Sequence, residues 1–384
     1  MDMIKSRYLI NYFIILLIVL SGNVFFSLKY PKETRIILIV STLLVLLYTI
    51  ISKNFKFSKI GLSKLLIFKF LITLNFLFNT QNGISLNDLL FILILMFSVF
   101  ILKEKIELNT FKISYVSIMK WICITSLVCY FLSEFLPINQ FPFYKEDLLG
   151  TDVFRYSFYH SWGWGIGTER NPGMFWEPGA FQCYINLAIL FLIFDGDNNF
   201  PKKKNYYFIF ICTLITTQST TGYIIAGLIF LYASITLKIK VKKGLIKIFL
   251  IAFSIIGVMY FINTDVVSDK FNRDNSSYSV RTNDLEQSLD MIKESPILGV
   301  GYLSDKQYVE QKNRNIEKNS NGLLIFIIQF GIAVFIIYLL LLYKGIKEFF
   351  TVKFMDAMFI LLIFMIMFSS EPIVLYPIWI YFLF

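Results

Sequence analysis

The sequence has 384 residues, of which 57% are hydrophobic, 18% aromatic and only 16% charged, and its mean hydropathy is +0.66. A soluble domain carries about a quarter charged residues, so this composition excludes an ordinary soluble enzyme and indicates a membrane protein. The net charge of +10 does not indicate a nucleic-acid-binding protein, because the lysines cluster in short loops between apolar runs.

Apolar runs near the length of a membrane span recur along the whole chain. We predict an all-α polytopic membrane protein with about twelve transmembrane helices. Lys5 and Arg7 precede the first run, and no small-residue cleavage pattern follows it, which favours a membrane helix over a removed signal peptide. The predicted spans are 8–28, 36–51, 65–79, 86–102, 113–136, 178–194, 206–217, 220–237, 248–263, 321–343, 354–370 and 372–384.

The distribution of Lys and Arg predicts that both ends of the chain lie in the cytoplasm, because the short basic loops then fall inside. Two long segments then face outward. The predicted divisions are 1–136 for the N-terminal helices, 137–177 for the first outer loop, 178–263 for the central helices, 264–320 for the second outer loop and 321–384 for the C-terminal helices.

The stretch 206–237 depends on this orientation. It is flanked by the basic segments 202–204 and 238–247, and if both lie inside, the chain between them must cross the membrane twice. The polar run 216–222 would then be the outer turn. The alternative is one long tilted helix.

The first outer loop ends in a polar, aromatic segment that contains Arg170, Trp176 and Glu177. Pro178 is expected at the first turn of the following helix, where a carboxylate at position 177 is favoured by the helix dipole. In a structural interpretation, Arg170 is the ion-pair partner of Glu177. In a functional one, Glu177 orients or deprotonates a hydroxyl while Arg170 binds an anion.

The second outer loop contains a helix signal. Asn283 is a candidate N-cap with Glu286 three residues later, and Leu285, Leu289 and Ile292 form an apolar face. The helix is expected to end at Pro296, before the turn 299–301. We therefore predict an amphipathic helix at the outer surface.

Arg281 directly precedes that predicted cap, where the helix dipole disfavours a cation. An anion bound between Arg281 and the free amides of the helix would reverse this cost, and a phosphate suits the bidentate guanidinium. The alternative is that Arg281 is solvated or reaches lipid headgroups.

Asn319, Ser320 and Asn321 precede the span 321–343. Such residues are typical helix caps, although they also suit sugar hydroxyls. No carboxylate pattern indicates a metal ion, none of the four cysteines lies in a Cys-x-x-Cys pair, and no cofactor is expected. There is no P-loop, so ATP does not drive the protein directly.

These segments resemble the O-antigen polymerase and ligase superfamily, and most closely its Wzy-type polymerases. The resemblance is carried by the segments 170–173, 176–181, 295–301 and 319–324, together with Arg281. It implies a GT-C-like membrane fold in the bacterial cytoplasmic membrane and a glycosyltransferase that builds O-antigen, capsule or exopolysaccharide.

The implied donor is a glycan on undecaprenyl pyrophosphate, and the acceptor is the next lipid-linked repeat unit. The resemblance implies catalytic roles for Glu177, Arg170 and Arg281. The candidate substrate-binding residues are Arg155, Trp176, Asn319, Ser320 and Asn321. Any control of chain length would come from a separate partner protein.

The chain departs from the superfamily at two places. Ligase relatives often carry His where this sequence has Ser320, which favours a polymerase over a ligase. Many relatives carry Arg after a Ser in the turn 219–221, so one phosphate contact is expected from Arg170, Arg155 or Arg273 instead. A flippase for lipid-linked sugars is a third hypothesis, which the missing internal repeat disfavours.

Overall fold

The computed structural model describes residues 11–12, 14–20, 22, 30–51, 57–135, 144–148, 151–156, 159–162, 170–194, 200, 203–236, 276–314, 319 and 321–384. The predicted span 248–263, much of 8–28, Arg273 and Ser320 lie outside these residues. The described part of the chain is mainly helical.

The helices follow the predicted spans closely. In chain order they are α1 (Pro31–Ile51), α2 (Lys59–Phe78), α3 (Leu86–Lys105), α4 (Leu108–Phe135), α5 (Pro178–Ile193), α6 (Lys203–Thr217), α7 (Thr220–Thr236), α8 (Ser276–Glu294), α9 (Asp305–Asn313), α10 (Gly322–Phe350), α11 (Phe354–Ser370) and α12 (Pro377–Ile380).

Among the described residues, α2, α3, α4 and α10 are long and apolar enough to cross a bilayer, and α5, α7 and α11 are shorter apolar helices. The chain is a multi-pass membrane protein. The number of spans and the sides of the loops stay predictions. The interpretation of 206–237 as two helices is confirmed, because a turn at Gln218 and Ser219 separates α6 from α7.

The first predicted loop contains a small antiparallel sheet that the sequence analysis did not foresee. Its strands are β1 (Tyr144–Leu148), β2 (Thr151–Tyr156) and β3 (Tyr159–Trp162), in the order β1-β2-β3. Arg155 lies on the central strand, opposite Tyr144 on β1 and His160 on β3.

The predicted final span, 372–384, is wrong as a helix. Pro372 and Pro377 interrupt the segment, and only the four residues of α12 are helical. The backbone is nevertheless sheltered, since Ile373 and Val374 and all residues from Pro377 to Phe384 are buried. Irregular backbone at membrane depth is tolerated where protein surrounds it.

The chain folds as two compact units. In the first, which contains 109–269, α5 packs against α6 and α7 and is buried along most of its length. Gly222 lets α7 approach closely, because a Cβ there would lie 2.8 Å from Gln182 Cβ. Asn186 Nδ2 donates to Gln182 Oε1 and Gly222 O, a polar contact typical of membrane helix packing.

The second unit contains 32–108 and 270–384, and its centre is α10. Helix α10 packs against α11 and is broken at Gly331, where φ is 78° and ψ is 169°. The loop 295–301, the clasp loop, fills the break in the helix. Val300 N and Gly301 N donate to Ile328 O and Gln329 O, and Ile332 N donates to Pro296 O.

Helix α2 and its following turn hold the clasp loop from another direction. Asn75 Nδ2 donates to Leu298 O, and Asn82 Nδ2 donates to Val300 O at 2.9 Å and to Asn79 Oδ1 at 2.8 Å. The spacing of these three asparagines puts them on one side of the helix and its extension. The segment 296–301 of the clasp loop, which reads Pro-Ile-Leu-Gly-Val-Gly, therefore packs inside the second unit.

Candidate active site

Two groups of predicted site residues are described, one in each unit. The first group surrounds the start of α5. Glu177 is the N-cap residue of α5, with Pro178 at the first helical position as predicted. Its side chain is exposed and makes no capping hydrogen bond, so the carboxylate is directed to roles other than capping the helix.

Arg170 lies at the turn between α6 and α7. The residue is exposed to solvent, and its Nε donates to Thr217 O at 3.3 Å. Gln218, the next residue of that turn, has a positive φ of 47°, which is uncommon for a residue other than glycine. Backbone strain of this kind is concentrated at functional sites.

Asn171 fixes the segment that carries Arg170. It is fully buried, its amide N donates to Thr216 O at 2.8 Å, and its Nδ2 donates to Thr216 Oγ1 at 2.9 Å. Its Oδ1 accepts from Gly173 N at 2.9 Å. The sequence analysis placed Asn171 in the resembling segment without assigning it a role, and the structure shows that it locks Arg170 to the turn.

Aromatic packing anchors the rest of this loop. Phe175 stacks on Phe181 with ring centroids 5.1 Å apart and lies 4.4 Å from the Tyr184 ring. Gly173 has φ +58°, and a Cβ there would lie 2.6 Å from the Phe181 ring. Trp176 is half-buried beside Glu177 in sequence, so part of its ring stays accessible.

The second group begins on α8, where two predictions are wrong. The helix starts at Ser276, so Asn283 does not cap it and Arg281 lies within it. No Gly or Pro occurs between 276 and 283 to prevent the helix from extending toward its N-terminus. Arg281 therefore does not lie at a helix start, and the predicted phosphate site between Arg281 and free helix amides is wrong.

The buried face of α8 also differs from the predicted one. Leu285 and Leu289 are 44% and 43% exposed, whereas Asp284, Ser288 and Met291 are buried. Met291 packs with Val300 and Ile328, with Ile292 against them. Position 281 shares the helical face of 284 and 288, because residues three, four and seven apart lie on one side of a helix.

Asn319 and Asn321 cap the start of α10. Asn321 Oδ1 accepts from Leu323 N and Leu324 N at 3.1 and 3.2 Å. Asn319 Oδ1 accepts from Asn321 N at 2.9 Å, and Asn319 Nδ2 donates to Ser288 Oγ at 2.7 Å. Of the two interpretations that the sequence left open, these bonds support the structural one.

The structure adds two buried acids that the sequence analysis missed. Asp284 is 6% exposed on α8, and Glu371 is 4% exposed at the end of α11. Glu371 O approaches the first residue of α10 so closely that a Cβ on Gly322 would lie 2.4 Å from it. A charged residue buried near the end of a membrane helix was the available signal for Glu371.

Residues 206–339 match the family model described as O-antigen ligase. Over these residues the chain is similar to the O-antigen polymerase and ligase superfamily. The match covers about a third of the sequence, from α6 into α10, and includes Arg281 and the segment 319–321. No curated protein and no solved structure matches the chain.

The match to the O-antigen ligase family supports a coarse function. It supports an enzyme of surface polysaccharide assembly, in a family whose members transfer glycans from lipid-linked oligosaccharides. Arg155, Arg170, Trp176 and Glu177 lie before the matched residues, so their roles rest on the geometry above and on the resemblance of their own segment.

Proposed function

We propose that the protein polymerises lipid-linked oligosaccharide repeat units of a bacterial surface polysaccharide at the outer face of the cytoplasmic membrane. The observation that carries this proposal is that one anchored loop, 170–177, presents both a cation and a carboxylate. An exposed guanidinium, Arg170, is held at the α6–α7 turn, and an exposed carboxylate, Glu177, stands at the start of α5.

In the proposed reaction, the acceptor sugar hydroxyl attacks the anomeric carbon of the donor glycan. The bond from that carbon to the pyrophosphate oxygen breaks, and undecaprenyl pyrophosphate leaves with the bonding electrons. Glu177 orients the hydroxyl and accepts its proton. Arg170 stabilises the negative charge that develops on the pyrophosphate, as preorganised cations do in phosphate chemistry. The family resemblance gives Arg281 a role in the same transfer reaction.

Arg170 can also compensate for the arginine that is missing from the α6–α7 turn. Many relatives carry an Arg in that turn, where this chain has Ser219-Thr220-Thr221. Here the Arg170 guanidinium reaches the same turn from the preceding loop through its bond to Thr217 O. We infer that Arg170 supplies the phosphate contact of the absent arginine. Arg155, Trp176 and Ser320 stay candidate contacts to the glycan, whereas Asn321 caps α10.

The alternative function is that of an O-antigen ligase, which transfers the finished glycan to another acceptor. The family description favours it, whereas Ser320, at the place where ligase relatives often carry His, favours the polymerase. A flippase is the third candidate.

A strain deleted for the gene distinguishes the three functions when its lipid-linked intermediates and surface glycan are separated by gel and mass spectrometry. We expect single repeat units on the surface and no polymer ladder. Full-length polymer stranded on undecaprenyl pyrophosphate would instead establish a ligase, and repeat units trapped on the cytoplasmic leaflet would establish a flippase.

A further inference from the structure

Two of the places at which α8, the helix that carries Arg281, is attached to α10 involve hydrogen bonds. Its C-terminal end runs directly into the clasp loop, which is hydrogen-bonded into the break of α10 at Gly331. Near its middle, Ser288 Oγ accepts a 2.7 Å hydrogen bond from Asn319 Nδ2, just before α10 begins. Ser288 is fully buried, so water does not compete for this bond.

The distances along α8 show what the second attachment does. Arg281 precedes Glu294 by 13 residues, so it lies about 20 Å along α8 from the end that joins the clasp loop. A tilt of about 10° at that end would displace the Arg281 backbone by roughly 3 Å, and about 1 Å already matters in a reacting complex. Ser288 lies only seven residues from Arg281, about 10 Å along the helix.

We propose that Ser288 and Asn319 are positioning residues, which set the direction of α8 and thereby the place of Arg281 in the transfer reaction. The inference rests on the proposed function and on the role given there to Arg281. It also reassigns Asn319, because both ends of its amide are engaged within the protein, Nδ2 with Ser288 and Oδ1 with the backbone of Asn321. Asn319 acts through α8 and not by binding sugar.

The chain offers a closely matched control for Ser288. Ser304 is also fully buried in the second unit, and its Oγ also accepts a hydrogen bond, from Gln307 N at 3.2 Å. That bond caps α9 and has no connection with α8. Ser288→Ala and Ser304→Ala therefore remove the same hydroxyl from equally buried sites, and only the first removes an attachment of α8.

The experiment uses the full-length protein in lipid vesicles, with lipid-linked repeat units extracted from the deletion strain as substrate. We expect Ser288→Ala and Ser304→Ala to lower the melting temperature by similar amounts. Only Ser288→Ala is expected to lower kcat, by about tenfold or more. Equal loss of activity in both variants, or unchanged activity in Ser288→Ala, would overturn the proposal. Should Ser288→Ala reduce protein abundance, Ser288→Cys keeps the volume and weakens the bond.

A cycle with Arg281→Lys tests whether the effect passes through Arg281. In that background, where activity is already reduced, Ser288→Ala is expected to cause no further loss. A full additional tenfold loss would mean that Ser288 acts independently of Arg281, and the proposal would be wrong. Wild-type protein that makes no polymer would refute the proposed function itself, and this inference with it, whatever the variants do.

Discussion

The two groups of candidate residues are anchored by side chains that face inward. In the first unit, Asn171 joins the Arg170 segment to the end of α6 through two hydrogen bonds to Thr216, and a third bond, from Gly173 N, fixes the segment itself. Arg170 itself stays exposed. A buried anchor beside an exposed cation holds the charge in place before the ligand arrives, which lowers the reorganisation needed in the transition state.

Replacing Arg170 by Lys tests whether the guanidinium itself is required. Lys keeps the charge but loses the Nε donor to Thr217 O and the bidentate geometry for phosphate. We expect at least a tenfold loss of polymer formation, about 1.4 kcal/mol of transition-state stabilisation, with normal protein abundance. Arg314→Lys is the control, because Arg314 bonds to Glu294 and has no proposed role in transfer. Normal polymer from Arg170→Lys would refute a specific guanidinium contact.

Asn171→Ala tests whether Asn171 holds the Arg170 segment in place, and we expect it to lower both stability and activity. It removes the donor to the half-buried Thr216 hydroxyl and leaves the buried Gly173 N–H without its acceptor, and the unsatisfied N–H costs about 1–3 kcal/mol. We expect a lower melting temperature in detergent and a loss of transfer. Asn313→Ala, at an exposed position ending α9, should change neither quantity. An unchanged melting temperature for Asn171→Ala would contradict the anchoring role.

The sequence analysis identified the exposed candidate residues but not the buried polar residues that hold their segments in place. Arg170 and Glu177 were recognisable because charged residues beside Pro and Gly are unusual in an apolar chain. Ser288 and Asp284 were missed because the prediction took the apolar residues Leu285 and Leu289 as the packed face of α8. That face instead follows polar residues, since the helix packs at the entrance of α10, where Asn319 needs a hydrogen-bond partner.

Among the elements, the break in α10 has the strictest structural requirement. The backbone at Gly331 occupies a region of φ and ψ that is essentially restricted to glycine. An added Cβ would lie 2.0 Å from Ile297 O in the clasp loop. The break in turn supplies the carbonyl groups of Ile328 and Gln329 that hold Val300 and Gly301.

Gly331→Ala is expected to destabilise the second unit severely. The backbone conformation alone costs about 1–3 kcal/mol for a residue with a Cβ, and the clash with the clasp loop adds to this. Protein abundance and the melting temperature in detergent measure the effect. Gly227→Ala provides the contrast, since this half-buried glycine lies inside α7, where alanine favours the helix. Equal stability of the two variants would disprove the importance of the break.

The predicted elements failed where tertiary contacts replaced local preference. Apolar periodicity located α2–α7, α10 and α11 to within about seven residues at each end, because length and hydrophobicity define a membrane helix. The same periodicity extended a helix through 372–384, where two prolines prevent it. The polar line of Asn75, Asn79 and Asn82 within and just after an apolar helix was the overlooked signal for the clasp loop.

At the scale of the whole molecule, the superfamily match and the candidate residues divide the chain differently. The match runs from Tyr206 to Leu339 and contains Arg281 and Ser288. The Arg170 and Glu177 segment precedes it. The two groups therefore rest on different kinds of support. Similarity to a family supports the second and local geometry the first, and both must face outward if they serve one reaction.

The predicted orientation can be tested with single cysteines and a maleimide that does not cross membranes. Three native cysteines are buried and Cys212 is half-buried, so a variant with all four replaced is the starting protein. Cysteines are introduced at four exposed positions, Glu177, Asp305, Lys59 and Lys353. We expect labelling of intact cells at 177 and 305, and labelling at 59 and 353 only after the cells are opened, because the basic loops lie inside. The reverse pattern would place the candidate residues in the cytoplasm, where a reaction at the outer face is impossible, whereas labelling of only one of 177 and 305 would separate the two groups across the membrane.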